Sequence, residues 1–167
     1  AELRLVKEVI NNNGGTATPA NWNLTATPTG TFPSGLLPVT RPGATATDAQ
    51  YFTVRPGVSY ALSETGPTGY ANTSIQCSIA GGARVNATSV TLTAGQRGTC
   101  YLVNDDQPTQ LTLVKVVDNG TTGATAVPAN WTMTASGPTT VTGPGNSAAV
   151  TNQTVNAGTY TLSESGG

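Results

Sequence analysis

Residues 3–9 read Leu-Arg-Leu-Val-Lys-Glu-Val, and the pattern returns at residues 111–117 as Leu-Thr-Leu-Val-Lys-Val-Val. Strict alternation of apolar residues predicts a β-strand with one buried face. In both copies the alternation places the lysine on the same face as the leucines. Lys7 and Lys115 are the only lysines in the chain. A lysine that faces a core is costly unless it is paired, neutralised or chemically consumed, so its repetition predicts a use.

The composition predicts an all-β protein. The chain has 167 residues, of which 31 are threonine and only 9% are charged, and glycine and proline are frequent. Short β-prone runs between turn residues indicate an antiparallel β-sandwich. The net charge of −1 gives no footprint for nucleic acid or an anionic membrane. No apolar run is long enough for a transmembrane helix, so we expect no nucleic-acid partner and no membrane insertion in this segment.

Two further segments are repeated. Residues 15–26 return at 123–135 around an Ala-Asn-Trp motif, and the run Tyr-Ala-Leu-Ser-Glu-Thr-Gly at 60–66 returns at 160–166 with two substitutions. Self-similarity of this kind predicts tandem structural units.

The repeats predict the domain boundaries. We expect a complete repeat at 1–108 and the N-terminal part of a second, truncated repeat at 109–167, because no second copy of residues 67–106 follows. The separation between copies falls from 108 residues at the lysines to 100 at the later glutamates. The first repeat therefore has a longer middle, which we place at 29–47 as a surface loop rich in proline and glycine.

The chain contains two cysteines, Cys77 and Cys100, and no histidine. With only thiols and acidic side chains as ligands, we expect no metal site and no cofactor. The cysteines form either a disulfide or two buried free thiols. A disulfide would place the chain outside a reducing cytosol.

Alternation also directs polar side chains of later strands towards the core. Glu64 alternates with tyrosine and leucine on a middle strand, and Asn104 alternates with cysteine and leucine on the last one. We therefore predict that Lys7, Glu64 and Asn104 meet in one small core. Lys115 and Glu164 repeat the first two of these residues.

Three polar groups in an apolar interior allow two interpretations. Lys7 and Glu64 could form a buried ion pair that Asn104 hydrogen-bonds, which is weak evidence for stability. Alternatively, burial lowers the pKa of the lysine and raises that of the glutamic acid, so that a neutral amine and a neutral acid coexist. The amine then attacks the Asn104 amide while Glu64 transfers protons; ammonia leaves and an intramolecular isopeptide bond remains.

The order Leu-X-Leu-X-Lys-X-Val, Tyr-X-Leu-X-Glu-Thr-X-Pro-X-Gly-Tyr and Leu-Val-Asn resembles the collagen-adhesin B-type domain. These SpaA-like repeats occur in pilins and surface adhesins of Gram-positive bacteria. The resemblance implies tandem Ig-like, prealbumin-like β-sandwiches. It assigns the crosslink to Lys7 and Asn104 and its catalysis to Glu64. In the second repeat it assigns catalysis to Glu164 and the crosslinking amine to Lys115, whose partner is absent.

The same resemblance implies a structural function. It indicates a stalk or fibre repeat of a secreted bacterial protein that is extracellular and attached to the cell surface or wall. Neighbouring repeats of the same protein, or further copies in a self-assembled fibre, would be its partners. The crosslinking reaction turns over once on its own chain, so we do not expect an enzyme.

Three alternatives stay open. Threonine-rich faces such as 132–134, or the 29–47 segment, could bind a polysaccharide, a host surface or ice, although threonine is also simply a good strand residue. The second unit could accept strands from another molecule and link to it through Lys115. Finally, Asp105 and Asp106 follow Asn104, so a shift of one residue would change the acceptor.

Overall fold

The structure is a computed structural model that describes residues 1–31 and 35–167. The described residues form β-strands and three short 3-10 helices, Pro19–Asn21, Pro128–Asn130 and Ala148–Val150. The all-β prediction is therefore confirmed. None of the described helices is long and apolar enough to cross a membrane.

The chain divides into two compact units. The first contains Ala1–Asn11 and Thr16–Asp106, and the second contains Asn12–Gly15 and Gln107–Gly167. The described strands of the first unit are β1 (Glu2–Ile10), β2 (Asn23–Thr29), β3 (Val39–Pro42), β4 (Phe52–Thr53), β5 (Ser59–Thr65), β6 (Tyr70–Ile79), β7 (Val85–Asn86), β8 (Ser89–Thr91) and β9 (Arg97–Asp106).

Two sheets form the first unit. One has the strand order β4-β1-β9-β6-β7 and the other β3-β2-β5-β8. The strand pairs are antiparallel except for β1 and β9, which run parallel from the Glu2–Arg97 pair to the Ile10–Asp105 pair. The first and last strands of the unit are thus direct neighbours. This parallel pair is the one departure from the predicted antiparallel pattern.

The core of the first unit receives side chains from both sheets. Alternation along β1 buries Leu3, Leu5 and Lys7 in line, as the sequence predicts. Their buried neighbours in the core include large side chains from other parts of the unit, namely Trp22, Leu24, Phe52, Tyr60, Leu62 and Leu102. Lys7 is as deeply buried as these residues, with an exposed fraction of only 1%. The core therefore contains a buried amine, which is costly unless it is paired or neutralised.

The prediction of a surface loop at 29–47 is wrong in part. Phe32, Pro33 and Ser34 lie outside the described residues. Val39–Pro42 forms β3, an edge strand that pairs antiparallel with β2. The backbone N–H of Lys7 donates to Ala44 O at 2.8 Å. The segment thus provides hydrogen-bond partners for the backbone of β1 and β2. Alternation within the segment alone does not reveal this role.

The second unit is built from β10 (Thr109–Leu111), β11 (Trp131–Ser136), β12 (Val141–Pro144), β13 (Gln153–Val155) and β14 (Thr161–Gly166). Its β12-β11-β14 sheet repeats the β3-β2-β5 arrangement of the first unit. Met133 of β11 pairs with Glu164, just as Leu24 of β2 pairs with Glu64. The sequence repeat is therefore also a repeat of strand order and register.

The predicted strand at 111–117 is wrong beyond Leu111, where β10 ends. In the first unit, the equivalent strand β1 forms its long hydrogen-bond ladder with β9. The described residues contain no second copy of β9. A strand needs a partner for its backbone groups, so local alternation alone does not extend β10.

Candidate functional site

Lys7 lies at the centre of the candidate site and uses all three of its ammonium donors. Its Nζ donates to Glu64 Oε2 at 2.8 Å, to the Leu102 carbonyl oxygen at 3.1 Å and to Asn104 Oδ1 at 2.5 Å. The side chain of Lys7 is fully buried and that of Glu64 is 11% exposed. The structure therefore brings together the three residues that alternation directs to the core.

The strand register explains this convergence. In the parallel pair, Lys7 of β1 lies opposite Leu102 of β9, and Val9 lies opposite Asn104. Lys7 and Asn104 are thus on one face, two register positions apart, within reach of a lysine side chain. Glu64 belongs to β5 of the other sheet. The site consequently spans the two layers of the sandwich.

Trp22 forms an aromatic wall beside the amine. Its ring centroid lies 4.7 Å from Lys7 Nζ, a cation–π distance, and Tyr70 packs edge-on against the same ring at 5.2 Å. Gly66 permits this arrangement, because a Cβ there would lie 2.2 Å from Trp22 Cδ1. Trp22 is 2% exposed, so an apolar surface shields the amine from water.

Burial changes the acid–base chemistry of the site. Desolvation lowers the pKa of Lys7 below its ordinary value, against the opposing hydrogen bond and charge of Glu64. A lower pKa raises the fraction of neutral amine, and only the neutral amine is a nucleophile. The direction agrees with the chemistry expected from the sequence.

The amine and the amide are close enough for attack. Nζ lies 2.5 Å from Asn104 Oδ1. A carbonyl bond is about 1.2 Å long, so the Asn104 Cγ is no more than about 3.7 Å from Nζ. In near-attack geometries the two reacting atoms, here Nζ and Cγ, are about 3–3.5 Å apart, so this upper limit is close to that range. Asp105, the neighbouring candidate acceptor, pairs with Ile10, which alternation places on the strand face opposite to that of Lys7. The observed geometry therefore favours Asn104.

The sequence interpretation did not include Asn72. Its Nδ2 donates to Glu64 Oε1 at 2.9 Å and to Asn104 Oδ1 at 3.2 Å. A β-bulge between Asn72 and Ser74 sets this position, since Asn72 pairs with Asn104 whereas Ser74 pairs with Val103. Without the bulge, alternation would place Thr73 opposite Asn104. A bulge is invisible to alternation, and no local sequence signal identified it.

One known protein family matches almost the whole chain. The family described as "Prealbumin-like fold domain" matches residues 1–102 and 106–167. The chain belongs to this family. The resemblance to SpaA-like, prealbumin-like domains is thereby confirmed. Among curated proteins, none matches the chain.

Solved structures of the major pilin from Streptococcus pyogenes are similar to this prealbumin-like chain. The pilin itself is 18% identical with a TM-score of 0.38, and 64% of this chain aligns with 47% of the pilin chain. An Asn-to-Ala mutant is 19% identical with a TM-score of 0.39, covering 64% of this chain and 48% of that chain. The chain therefore spans about half the length of the pilin structures it matches.

The second prealbumin-like unit reproduces part of the site. Lys115 Nζ donates to both carboxylate oxygens of Glu164, at 2.9 and 2.8 Å, and lies 4.5 Å from the Trp131 ring centroid. The pair is more open, with side-chain exposures of 16% for Lys115 and 45% for Glu164. The side-chain acceptors described for Lys115 Nζ are these two oxygens of Glu164. The amine, the acid and the aromatic wall of the first unit therefore recur in the second.

A glycine supports the lysine in both units, and the sequence analysis missed it. A Cβ at Gly43 would lie 2.2 Å from Pro19 O and 3.2 Å from Lys7 Cβ. The equivalent contacts of Gly145 are 2.4 Å to Pro128 O and 2.9 Å to Lys115 Cβ. Both glycines follow a proline, at 42–43 and 144–145, but a third Pro-Gly at 56–57 shows that the dipeptide alone does not identify these positions.

Cys77 and Cys100 form a disulfide. They lie directly opposite each other on β6 and β9. Of the two alternatives left by the sequence, the disulfide is therefore confirmed. The bond ties β9 to its antiparallel neighbour, on the same strand face as Asn104. No group of three or more His, Cys, Asp or Glu residues capable of holding a metal ion occurs within 1–31 and 35–167.

Exposed threonines pair with each other across strands. Thr25 and Thr40 hydroxyl oxygens are 2.9 Å apart between β2 and β3, and Thr134 and Thr142 are 2.9 Å apart between β11 and β12. Such pairs stabilise the sheets themselves. These contacts give the threonines a structural role and do not by themselves favour a ligand-binding face.

Proposed function

We propose that this chain is a structural repeat of a secreted fibre or pilus, whose first unit forms an isopeptide bond between Lys7 Nζ and Asn104 Cγ. The observation that carries the proposal is the contact of a buried, desolvated amine with both Glu64 and Asn104. An ion pair alone does not require an amide acceptor at the same nitrogen. The family membership and the resemblance to collagen-adhesin B-type repeats support the same function.

The reaction needs no external reagent. Proton transfer from Lys7 to Glu64 across their 2.8 Å hydrogen bond gives a neutral amine and a neutral acid. Nζ attacks Cγ of Asn104 and forms a tetrahedral intermediate with negative charge on Oδ1. Glu64, now a neutral acid, protonates the leaving Nδ2, and the resulting carboxylate accepts the proton released by Nζ. The Cγ–Nδ2 bond breaks, ammonia leaves, and one new Nζ–Cγ amide bond remains.

The crosslink would give the unit mechanical strength. It joins β1 to β9, which are parallel neighbours and the first and last strands of the unit. A pull applied at the two ends of the unit would be carried by this covalent bond. The strands between Lys7 and Asn104 would then be protected from extension. This behaviour suits a stalk or fibre that connects a cell to a distant contact.

The remaining assignments follow from this proposal. We propose repeats at 1–108 and 109–167, with Lys115 and Glu164 as nucleophile and catalyst in the second. The disulfide supports an extracellular location, and we place the protein at a Gram-positive cell surface with neighbouring repeats as its partners. The chain is a self-modifying structural protein rather than an enzyme, because the lysine is consumed in a single turnover.

Intact mass tests the proposal most directly. The purified chain is measured after full reduction and denaturation, and its peptides are mapped. We expect the loss of one ammonia and a crosslinked peptide pair that contains Lys7 and Asn104. The Glu64→Ala chain should retain the unmodified mass. A wild-type chain with the mass of its plain sequence would refute self-crosslinking.

A further inference from the structure

We propose that Asn72 is a second catalytic residue of the crosslinking reaction, beside Glu64, and that it stabilises the oxyanion that forms on Asn104 Oδ1. This inference rests on the proposed function, since it assigns a role within the same reaction. It is based on the side-chain amide of Asn72, which contacts both Glu64, the proton carrier, and the reacting carbonyl group of Asn104.

The chemistry of its neighbours fixes the orientation of the Asn72 amide. Glu64 Oε1 and Asn104 Oδ1 are both acceptors, and they lie 2.9 and 3.2 Å from Nδ2. The nitrogen carries two N–H donors, one for each of these oxygens. Asn72 therefore bridges the two groups and fixes the distance between the acid and the amide.

The donor becomes more important as the reaction proceeds. In the ground state, Oδ1 of Asn104 accepts from both Lys7 Nζ and Asn72 Nδ2. When Nζ bonds to Cγ, it can no longer point a proton at the adjacent oxygen. Asn72 is then the remaining side-chain donor, among the described contacts, for an oxygen that has gained negative charge. An interaction that strengthens in the transition state accelerates the reaction.

The local backbone is arranged to supply this donor. The bulge in β6 turns Asn72 towards Asn104 and removes Thr73 from that position. Bulges are frequent beside active sites, where they redirect a side chain. Asn72 is exposed on its outer side, whereas Lys7 and Asn104 are buried. The residue therefore lies at the solvent edge of the site, where its replacement should be tolerated by the core.

Time courses of crosslinking test the role of Asn72. Full-length chains recovered from inclusion bodies are held in concentrated guanidinium hydrochloride, diluted into an oxidising refolding buffer and quenched in acid. Intact mass gives the crosslinked fraction, and tryptophan fluorescence gives the rate of folding. The variants are Asn72→Ala and the isosteric Asn72→Asp. Gln76→Ala, which removes an amide from the same strand away from the site, is the matched control.

We expect Asn72→Ala to crosslink about ten-fold more slowly or worse, because loss of one oxyanion donor costs about 100-fold or more in a well-enclosed site. Asn72→Asp should be slower still, since a carboxylate would face the developing oxyanion and Glu64. Gln76→Ala should match the wild type. All variants should fold at the wild-type rate, which separates a chemical effect from a folding effect.

Three results would count against the inference in different ways. If the wild type crosslinks and Asn72→Ala crosslinks equally fast, Asn72 has no catalytic role and the proposed function stands. If Asn72→Asp is as fast as the wild type, the oxyanion role is refuted even where the alanine variant folds poorly. If the wild type never loses ammonia, the proposed function fails, and the role of Asn72 fails with it.

Discussion

Glu64→Gln should leave the first unit folded but uncrosslinked, and much less stable. Glutamine keeps the shape of the side chain and an oxygen that can accept from Lys7. It cannot accept a proton from the amine or deliver one to the leaving nitrogen. Lys7 and Asn104 should therefore remain chemically separate. The stability difference between the variant and the wild type then contains the contribution of the covalent crosslink.

The size of the stability difference follows from the length of the loop that the crosslink closes. Lys7 and Asn104 are 97 positions apart, and the disulfide shortens that path by its own separation of 23. For a loop of about 75 residues, the chain-entropy relation gives about 4.5 kcal/mol at 25 °C. Loss of the charged partner of a buried lysine adds to this cost. The difference of about 4.5 kcal/mol is therefore a lower bound.

Thermal unfolding measures this difference. One kcal/mol corresponds to about 4–8 °C in a domain of this size, so the melting temperature of the first unit should fall by about 20–35 °C. The assay is circular dichroism or calorimetry on the full chain, with intact mass recorded for each sample. Glu8→Gln is the matched control, because Glu8 lies on the same strand as Lys7 but pairs with Arg84 at the surface.

Two outcomes would contradict this prediction for Glu64→Gln. If Glu64→Gln still loses ammonia, the carboxyl group is not required for the reaction. If it stays uncrosslinked but melts within about 5 °C of the wild type, the chain-entropy relation does not describe this crosslink. The Glu8→Gln control should lose no more than about 1 kcal/mol and should crosslink fully.

Three further predictions concern the surroundings of the amine. In uncrosslinked Asn104→Ala, burial holds the pKa of Lys7 below its ordinary value of 10.5, so the unfolded chain binds the proton more tightly. Its urea midpoint should thus rise with pH between the lowered folded pKa and 10.5, and adding Lys7→Met should remove that rise. Gly66→Ala places a methyl group 2.2 Å from the Trp22 ring; it should cost about 1–3 kcal/mol in urea unfolding and slow crosslinking, whereas Gly82→Ala should do neither. Replacing both cysteines with alanine should remove about 3 kcal/mol of stability while intact mass still shows the loss of ammonia; an uncrosslinked product would show that the disulfide is needed to position β9.

Alternation along the strands predicts that three polar side chains point towards the core, although Thr99 and Asp106, which are also buried, are not among them. Strand side chains alternate strictly, so neighbouring leucines fixed the inward direction of Lys7, Glu64 and Asn104 without any tertiary information. The repeated motifs determined that Lys115 and Glu164 would occupy equivalent positions. The frequency of threonine and turn residues determined the all-β class. These properties depend on local chemistry and on a period of two residues, both of which can be read along the chain.

The neighbours of each strand and the closure of the site depend on tertiary contacts. The parallel pairing of β1 with β9 joins residues 95 positions apart, and alternation does not encode which strands pair. The same limit explains the error at 112–117, where the residues have a strand pattern but no described strand pairs with them, and the Leu113 N–H donates to Val150 O instead. Asn72 was missed because one bulged residue reverses the inward direction. Local pattern fixes the face of a side chain, whereas pairing and irregularities of the backbone fix what that side chain meets.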